Sequence, residues 1–389
     1  MAAIKMFPAQ DGDAFLVINE KTKNAVLIDG GHDDTYRHHI APALLLLHEE
    51  GYRLELVVVT HIDADHIGGL ISFFEENGHS SSPSVIPVGS VWHNSLRAMT
   101  APPDAGSDID IASLTQAIKR INSSRSRKGK GPTEISAKQG SSLAAQLLAG
   151  GYHWNEGHGY QCISTAHQPP LTAEGIRAQL LSPHPDRISA ICKWWRKQLA
   201  SLGFDSQGAA GAAFDDAFEF LCAYESLQPK TPQLISQKMP SLEQDYTRDN
   251  SPTNGSSLAF VLELDGKRIM MLGDAWAEEV VTTLEEITQD LPEHFDAIKI
   301  SHHGSIRNTS PKLLGMIDAP IYMISTDGQK HQKHPDIAVL QAIVDRPASY
   351  ERTLYFNYAT EASTLLKQYK SKSGAQFSVV EGANEWISL

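Results

Sequence analysis

The sequence predicts an α/β protein in which polar side chains collect at the ends of buried strands. Residues 57–59 are all valine, a β-branched run that suits a buried strand, and an apolar segment of helical length opens at Ile67. The same order of strand, polar residues and helix returns late in the chain, around Asp274 and again around His302. Because strand ends along one edge of a sheet can converge on one point, these side chains are expected to share a site.

The composition is that of a globular, acidic protein. Of its 389 residues, 41% are hydrophobic, which suffices for a sizeable core. With 33 basic and 46 acidic residues the formal charge is −13, so the surface as a whole repels polyanions. A nucleic acid would therefore need a local basic patch or bound metal ions.

The cysteines and apolar segments bear on the cellular setting. Cys162, Cys192 and Cys222 are odd in number, lie far apart and show no CxxC spacing, which fits a reduced, cytoplasmic setting. The N-terminal residues lack a basic flank with an apolar core, and the leucine run at 44–47 is far shorter than a membrane span. We expect neither export nor membrane insertion, and the sequence does not predict the oligomeric state.

The first hundred residues predict a strand meander that leads into a strand, loop and helix. Strands are predicted at 3–7, 14–18, 24–28 and 90–92, and helices through 44–47 and at 67–77. Asp29 follows the third strand. It either starts a turn or is a carboxylate that orients metal ligands.

The loop between the valine strand and its helix holds four metal-ligating residue types within six positions: His61, Asp63, Asp65 and His66. Imidazole and carboxylate are ligands that divalent transition metals accept, and the free N–H groups of a helix start favour anions. The alternative is helix capping, with Asp65 as the N-cap and the histidines in solvent. Capping does not require two residues of each type at this spacing, so a metal site is predicted.

The middle of the chain, residues 102–253, predicts a largely helical insertion or cap within a single domain of residues 1–389. Helices are predicted at 109–121, 143–148, 188–202 and 214–227, and this insertion is the candidate surface for protein partners. One loop in it carries six basic residues and no acid: Lys119, Arg120, Arg125, Arg127, Lys128 and Lys130. Such a run is either a solvated loop or a contact for a nucleic-acid backbone. The pair Trp194-Trp195 is interpreted as packing rather than as a platform for bases.

Regular structure returns after the insertion. A hairpin of strands 257–264 and 268–272 leads to Asp274, a helix at 276–289 and a strand at 297–300 follow, and a further strand at 321–325 precedes His334. His302 and His303 come directly after the strand that ends at residue 300. Since neighbours on a strand point to opposite sides, one of the two is expected to face the metals and the other substrate or solvent.

These strings carry a family resemblance. The run from Thr60 to Gly69, with Asp29-Gly30 before it and Gly273-Asp274 after it, resembles the metallo-β-lactamase superfamily. The segments 254–258, 272–274 and 299–305, with His334-Pro335, are similar to the hydrolase domain of the competence protein ComEC and its stand-alone relatives. The similarity covers about residues 3–95 and 250–389. It implies a four-layer αββα sandwich with metals at one edge.

Carried over residue by residue, the resemblance implies that Asp65 and His66 hold one metal, His61 the other, and that Asp274 bridges both. Asp63 stands where many superfamily members have a second histidine. The carboxylate makes this site richer in oxygen ligands, so the candidate metals include Mn²⁺ as well as Zn²⁺. The histidine expected between the first motif and the hairpin is not identifiable, and His184 is the first candidate, ahead of three others: His153, His158 and His167. Any of His302, His303 and His334 could complete the second site.

The predicted function is that of a dinuclear metal-dependent phosphodiesterase or nuclease, because two divalent ions suit displacement at phosphorus. Its predicted catalytic residues are His302, Asp65 and His334, and an imidazole would protonate the leaving oxygen. DNA or RNA would reach the site through the basic loop, and ComEC relatives imply a role in anti-phage defence. The alternatives are a hydrolase of a small ester, lactone, amide or cyclic nucleotide, and a regulatory or scaffolding subunit with a vestigial site.

Overall fold

Two mixed sheets form the centre of the structure, which is a computed structural model that describes residues 1–99, 142–157, 159, 161–171, 175–201, 218–219, 241–288, 290–329 and 334–389. The first sheet has six strands in the order β15-β1-β2-β3-β4-β5. Its strands are β1 (Ala2–Met6), β2 (Phe15–Asn19), β3 (Asn24–Ile28), β4 (Arg53–Val58), β5 (Val88–Trp92) and β15 (Ile387–Ser388). β1 to β3 form the predicted antiparallel meander, whereas β3, β4 and β5 run parallel.

The second sheet has seven strands in the order β14-β13-β12-β10-β8-β7-β6. They are β6 (Ile176–Ser182), β7 (Ala259–Leu264), β8 (Lys267–Met271), β10 (Ala297–Lys299), β12 (Ile321–Ile324), β13 (Arg352–Phe356) and β14 (Phe377–Glu381). β6, β7 and β8 are antiparallel neighbours, and β8 to β14 are parallel. A small separate pair consists of β9 (Glu293–His294) and β11 (Ile317–Asp318).

Helices cover the outer faces of both sheets. On the first sheet lie α1 (Asp33–Thr35), a π-helical turn (Tyr36–Ile40), α2 (Ala41–Glu49), α3 (Ala64–Asn77), α4 (Leu96–Met99), α5 (Leu143–Ala149) and α6 (Pro185–Ser201). Later in the chain come α7 (Leu242–Asp245), α8 (Pro252–Gly255), α9 (Ala277–Ile287), a 3₁₀ turn (Ser301–Gly304), α10 (Pro311–Met316), α11 (Ile337–Val344) and α12 (Glu361–Lys367).

The buried apolar side chains divide into three cores, which define four layers. One core lies between the first sheet and its helices, one between the two sheets, and one between the second sheet and its helices. β8 shows how the sequence achieves this, because Ile269 and Met271 face the core between the sheets while Met270 and Leu272 face the helices. The predicted αββα sandwich is therefore confirmed.

Part of the predicted insertion belongs to the sandwich. β6 lies within residues 102–253 and pairs with β7 at the edge of the second sheet. Helices α5 and α6 match two of the predicted helices within a few residues. The predicted helices at 109–121 and 214–227 and the basic loop at 119–130 lie outside the described residues, apart from 218–219.

The structure adds strands that the sequence did not predict, β13, β14 and β15. β14 has half-exposed side chains throughout and β15 has two residues, so neither carries an alternating apolar pattern. No helix in the described part of the chain has the length and apolar character needed to cross a membrane.

Candidate metal centre

The candidate site lies at one edge of the sandwich, where the carboxyl ends of parallel strands from both sheets meet. Asp29 follows β3, and the loop of residues 60–63 follows β4. From the second sheet, Asp274 follows β8 and His302 follows β10. This arrangement brings the two halves of the sequence motif together.

Two close backbone approaches fix the loop that starts α3. A Cβ added at Gly69 would lie 2.0 Å from the Gly30 carbonyl oxygen, and one added at Gly12 would lie 1.9 Å from the Asp65 carbonyl oxygen. Neither position can carry a larger side chain without a shift of backbone. The glycines therefore allow the β3 loop and the β1–β2 loop to pack directly on the first turns of the helix that carries Asp65 and His66.

Four imidazoles converge on the Asp274 carboxylate. The distances from Nε2 to the nearer carboxylate oxygen are 3.8 Å for His61, 3.7 Å for His66, 3.6 Å for His302 and 3.7 Å for His303. These separations are too long for hydrogen bonds. They are what is expected when side chains surround a space that a cation would fill.

Hydrogen bonds on the opposite side of each ring assign the tautomers. His66 Nδ1 donates to Asp29 Oδ2 at 2.8 Å, and His303 Nδ1 donates to the Ser325 carbonyl oxygen at 2.7 Å. His302 Nδ1 makes its shorter contact, 2.8 Å, with Asn308 Oδ1. An Nδ1 that carries the proton leaves a neutral ring's lone pair on Nε2, the form that binds metal.

The fourth ring, His61, also carries its proton on Nδ1, which is held through the Thr60 hydroxyl. The Thr60 hydroxyl donates to Asp29 Oδ2 at 2.7 Å, so its oxygen accepts from His61 Nδ1 at 3.0 Å. Asp29 also accepts from the Thr60 backbone N–H at 2.8 Å. The sequence-based hypothesis that Asp29 orients ligands thus agrees with the structure, in which Asp29 contacts His66 directly and reaches His61 through Thr60.

Several of the inward-facing atoms lack a hydrogen-bond partner within the described part of the chain. They are the Nε2 atoms of His61, His66 and His303 and Oδ1 of Asp274, all buried. A buried polar atom without a partner costs about 1–3 kcal/mol. Four such atoms around one space fit a bound cation better than they fit a purely structural cluster.

The electrostatics also favour positive charge at this point. Burial lowers the pKa of His66, but the Asp274 and Asp29 carboxylates outweigh burial and hold that pKa well above its ordinary value. Burial would raise the pKa of Asp274, yet the surrounding imidazoles, His302 first, hold it well below its usual range. A divalent cation would supply the positive charge that these carboxylates otherwise obtain from protonated imidazoles.

His302 and His303 differ from the sequence-based expectation. They lie in the 3₁₀ turn rather than on a strand, with φ angles of 47° and 54°. The left-handed backbone removes the alternation of a strand, so both Nε2 atoms face Asp274. The prediction that one of them would point away from the metals was wrong for this reason.

The remaining predicted site residues lie around this cluster. Asp63 occupies the N-cap position of α3 without a side-chain capping bond, and its Oδ2 lies 3.8 Å from His61 Nε2. Asp65 Oδ2 lies 3.8 Å from His303 Nε2, and the Asp65 side chain is 16% exposed. The His334 ring centroid lies 5.2 Å from that of His302, and the His334 side chain is 12% exposed.

The candidates for a middle histidine do not join the cluster in the described part of the chain. His184 Nε2 lies 3.0 Å from Thr283 Oγ1 on α9. His167 Nε2 lies 3.5 Å from Glu156 and His153 is exposed, while His158 is outside the described residues. The fourth imidazole comes from His302 instead.

Sequence reasoning missed two buried charges behind the cluster, Asp13 and Lys299. Lys299 is 1% exposed, forms an ion pair with Asp13 and donates to the Gly273 carbonyl oxygen at 2.7 Å. Burial would raise the pKa of Asp13, but Lys299 and His303 hold it below its usual range. A lysine at the end of the apolar segment 297–300 was the available signal, since a buried strand rarely carries a charge.

The fold and the site together define a protein of the metallo-β-lactamase fold with a buried centre suited to divalent metal ions. The sequence profile of the metallo-beta-lactamase superfamily matches residues 8–84, the segment that includes Asp13, Asp29 and the loop from His61 to His66. This match does not distinguish subgroups, so the resemblance to ComEC stays a prediction.

Three solved structures are among those similar to this chain. They are the metallo-beta-lactamase fold protein YhfI from Bacillus subtilis (10% identity, TM-score 0.35, 100% of each chain covered), Zn²⁺-bound PqqB from Methylobacterium extorquens (11%, 0.37, 100% of each chain) and a metallo-beta-lactamase from Staphylococcus aureus (10%, 0.31, 97% of this chain and 98% of that one). The comparison with curated proteins gave no match.

Proposed function

We propose that this protein is a dinuclear metal-dependent phosphodiesterase that cleaves DNA or RNA. The observation that carries the metal-dependent chemistry is the convergence of four Nε2 atoms on Asp274, three of them buried without a hydrogen-bond partner. Members of the superfamily whose profile matches residues 8–84 are generally hydrolases.

The charge of the centre supports two ions rather than one. Six carboxylates and two cationic groups surround the four imidazoles: Asp13, Asp29, Asp63, Asp65, Asp249, Asp274, Lys299 and Arg307. Six negative charges and two positive charges leave −4 when the imidazoles are neutral. Two divalent ions would balance this charge, whereas one would leave −2 largely buried, which is costly.

The proposed ligands follow from the positions of the side chains. His61, Asp63 and His302 would hold one ion, Asp65, His66 and His303 the other, and Asp274 both. The groups His61, His66, Asp274 and Asp65, His66, His303 each have ligand atoms within 4.8 Å of one another. The mixture of imidazole and carboxylate suits either Zn²⁺ or Mn²⁺.

Divalent ions in such a centre lower the pKa of a coordinated water and neutralise charge that develops at phosphorus. The chain's own residues would supply the proton transfers. His334 lies beside His302 with Asp336 Oδ2 3.4 Å from its Nδ1, and the Ile306 N–H holds that carboxylate at 2.8 Å. We assign His334 as the proton donor to the leaving oxygen.

His302 and Asp65 have separate roles in this proposal. Burial lowers the pKa of His302 to about 4, so at neutral pH its ring is in the neutral form that binds metal rather than the form that donates a proton. Asp65 is the most exposed of the six carboxylates, at 16%. It lies on the side from which substrate would approach, where a carboxylate can accept a proton from water.

The choice of nucleic acid as substrate depends on the basic loop from Lys119 to Lys130, which lies outside the described residues. The formal charge of −13 favours the second candidate function, hydrolysis of a small ester or cyclic nucleotide, because an acidic surface repels polyanions. The two functions therefore differ in what the six basic residues contribute.

The test begins with metal content of the purified protein by mass spectrometry, followed by incubation with single- and double-stranded DNA and RNA, a chromogenic phosphodiester and a chromogenic carboxylic ester, with added Mn²⁺ or Zn²⁺. We expect two ions per chain and cleavage of nucleic acid that EDTA abolishes. Asp274→Asn should be inactive, and His184→Gln, which changes a histidine away from the cluster, should retain activity. Cleavage of the carboxylic ester alone would overturn the phosphodiesterase assignment.

Replacing the six basic residues by Ser tests whether the basic loop contributes to the cleavage of nucleic acid. Cleavage of DNA or RNA should fall and lose its salt dependence, while hydrolysis of the chromogenic phosphodiester stays the same. Unchanged cleavage of nucleic acid across a salt series would contradict the role of the loop.

The anti-phage role belongs to the same proposal, and protection of a bacterial host in a plaque assay should be lost in Asp274→Asn. Protection that persists without the metal centre would favour a regulatory subunit.

A further inference from the structure

Lys299 is a buried ammonium within contact distance of the metal centre. It ends β10, its side chain is 1% exposed, and its Nζ has three N–H donors to place. One partner is the Asp13 carboxylate, one is the Gly273 carbonyl oxygen at 2.7 Å, and Asp274 Oδ1 lies at 3.7 Å. The ammonium therefore hydrogen-bonds to the backbone that precedes Asp274 and lies close enough to the Asp274 carboxylate for a direct charge interaction.

Asp13 comes from the other sheet, in the loop between β1 and β2, and contacts the segments that carry the remaining ligands. Its Oδ1 lies 3.4 Å from His303 Nδ1, and its Oδ2 lies 4.0 Å from His66 Nδ1. Its backbone N–H donates to the Asp65 carbonyl oxygen at 3.2 Å. Because Asp13 is on the Nδ1 side of both rings, it lies behind the ligand atoms rather than among them.

The alternative interpretation is that this ion pair has a purely structural role and only stabilises the contact between the two sheets. A structural pair could lie anywhere along their contact, which includes a core of buried apolar side chains. This pair instead has its positive end 3.7 Å from Asp274 and its negative end beside His303 and His66. At such distances each charge acts directly on the affinity of the centre for cations.

We infer that Asp13 and Lys299 form a positioning and charge-balancing pair for the metal centre. Lys299 fixes the backbone before Asp274 through the Gly273 carbonyl oxygen and attracts the Asp274 carboxylate across 3.7 Å, and Asp13 cancels the repulsion that this ammonium would exert on bound cations. The inference rests on the metal centre of the proposed function, and not on the identity of its substrate.

The pair predicts that only the loss of its negative member lowers the affinity for Zn²⁺. Asp13→Asn removes a negative charge and leaves the ammonium uncompensated beside Asp274, so the affinity for Zn²⁺ should fall by about tenfold or more, the usual effect of residues that support metal ligands. Lys299→Met removes the positive charge and leaves the Asp13 carboxylate facing the centre, so the affinity should stay the same or rise. The double variant should lie within about threefold of the unchanged protein, because the charges cancel again.

The measurement is competition for Zn²⁺ between the full-length protein and a chromophoric chelator, on variants shown to be folded by circular dichroism. Lys312→Met is the matched control, because that lysine is 61% exposed in a surface pair with Glu285. The absorption spectrum of the Co²⁺-substituted protein gives a second readout. It should change in Lys299→Met and in the double variant, where the ammonium beside Asp274 is removed, and should be unchanged in Lys312→Met.

A purely structural pair would give a different pattern. Both single variants would then lose thermal stability with Zn²⁺ affinities that shift in the same direction or not at all, and either result overturns the inference. If the single variants do not fold, the double variant decides: wild-type affinity with an altered Co²⁺ spectrum supports the pair's role, and an unaltered spectrum contradicts it. Neither readout requires turnover, so failure of the phosphodiesterase assay leaves this test intact.

Discussion

Strand β12 joins two buried charged clusters that differ in how their charges are satisfied. Before its first residue lies Asp318, which accepts hydrogen bonds from Arg352 Nε at 3.0 Å, Arg346 Nη2 at 3.1 Å and the Tyr322 hydroxyl at 2.9 Å. After its last residue lies Ser325, whose carbonyl oxygen accepts from His303 in the metal centre. β12 therefore separates a cluster of carboxylate and guanidinium groups from a cluster of carboxylate and imidazole groups.

The Asp318 cluster is complete without any added group. Arg352, which is fully buried, also donates to the Arg346 carbonyl oxygen at 2.7 Å, and Arg346 donates to the Leu314 carbonyl oxygen at 2.6 Å. The cluster at the other end leaves three Nε2 atoms and a carboxylate oxygen without hydrogen-bond partners in the described part of the chain. Burial of charge is common to both ends. Only the incomplete end indicates a ligand, and this is how the structure separates a stabilising cluster from a functional one.

The largest expected effect comes from Asp274→Asn at the incomplete end. The amide keeps the shape of the side chain but removes the charge on which four imidazoles converge. Metal content should fall, and any metal-dependent activity should drop by roughly a thousandfold or more, because a bound ion contributes several kcal/mol to the reaction. Mass spectrometry and turnover assays measure the two effects, and thermal unfolding in EDTA should show little loss of stability. Full metal content with full activity would exclude Asp274 as a ligand.

The equivalent substitution at the complete end, Asp318→Asn, should lower the stability of the fold and leave the metal content unchanged. It leaves the buried Arg352 guanidinium and the half-buried Arg346 guanidinium without their carboxylate, and breaking a buried pair in this way costs about 3–5 kcal/mol. Urea unfolding should report that loss, while the Zn²⁺ content of the folded fraction stays the same. A loss of metal here would mean that the two ends of β12 are coupled, and the comparison between them would then fail.

A smaller effect is expected from Asp29→Asn, which changes a residue behind the ligands. The Asn amide can place an N–H against His66 Nδ1, which moves the ring proton to Nε2 and blocks the lone pair that would bind metal. The affinity for Zn²⁺ should fall about 10–100-fold. Asp33→Asn, which changes an exposed acid paired with Arg37, is the matched control. Equal affinities in both variants would show that Asp29 has no influence on the tautomer.

The first loop and the fold were within reach of sequence reasoning, for a physical reason. A valine run has few alternatives to a buried strand, and two histidines and two carboxylates at one turn have few uses other than metal binding. The conformation of His302 and His303 was not predictable, because it depends on a left-handed turn at two residues that are not glycine. Lys299 at the end of an apolar segment was a local signal of a buried charge, but its pairing with Asp13 joins the first loop of the chain to a strand of the second sheet, and no local pattern reports such a pair.

His184 does not join the metal centre, for a topological reason. His184 follows β6, whose last residue lies at the metal edge beside Ala259. β6 is the outermost strand of its sheet, however, and β7 separates it from β8 and Asp274. A strand end at the right edge is therefore not sufficient, because the strand must also lie near the centre of that edge.

The smallest effect in this comparison concerns pH. Burial would raise the pKa of Asp318, but Arg352 and Arg346 outweigh it and lower the pKa from 3.8 to about 2. A carboxyl whose pKa is lower in the folded state stabilises the fold above pH 3.8, and this contribution disappears as the pH falls towards 2. The difference in unfolding free energy between the unchanged protein and Asp318→Asn should therefore shrink by about 2 kcal/mol over that window. Urea unfolding in EDTA at a series of pH values measures this difference without a contribution from bound metal. A difference that stays constant down to pH 3 would show that the carboxylate charge does not stabilise this end of β12, and a change centred near pH 6 would assign the effect to a histidine instead.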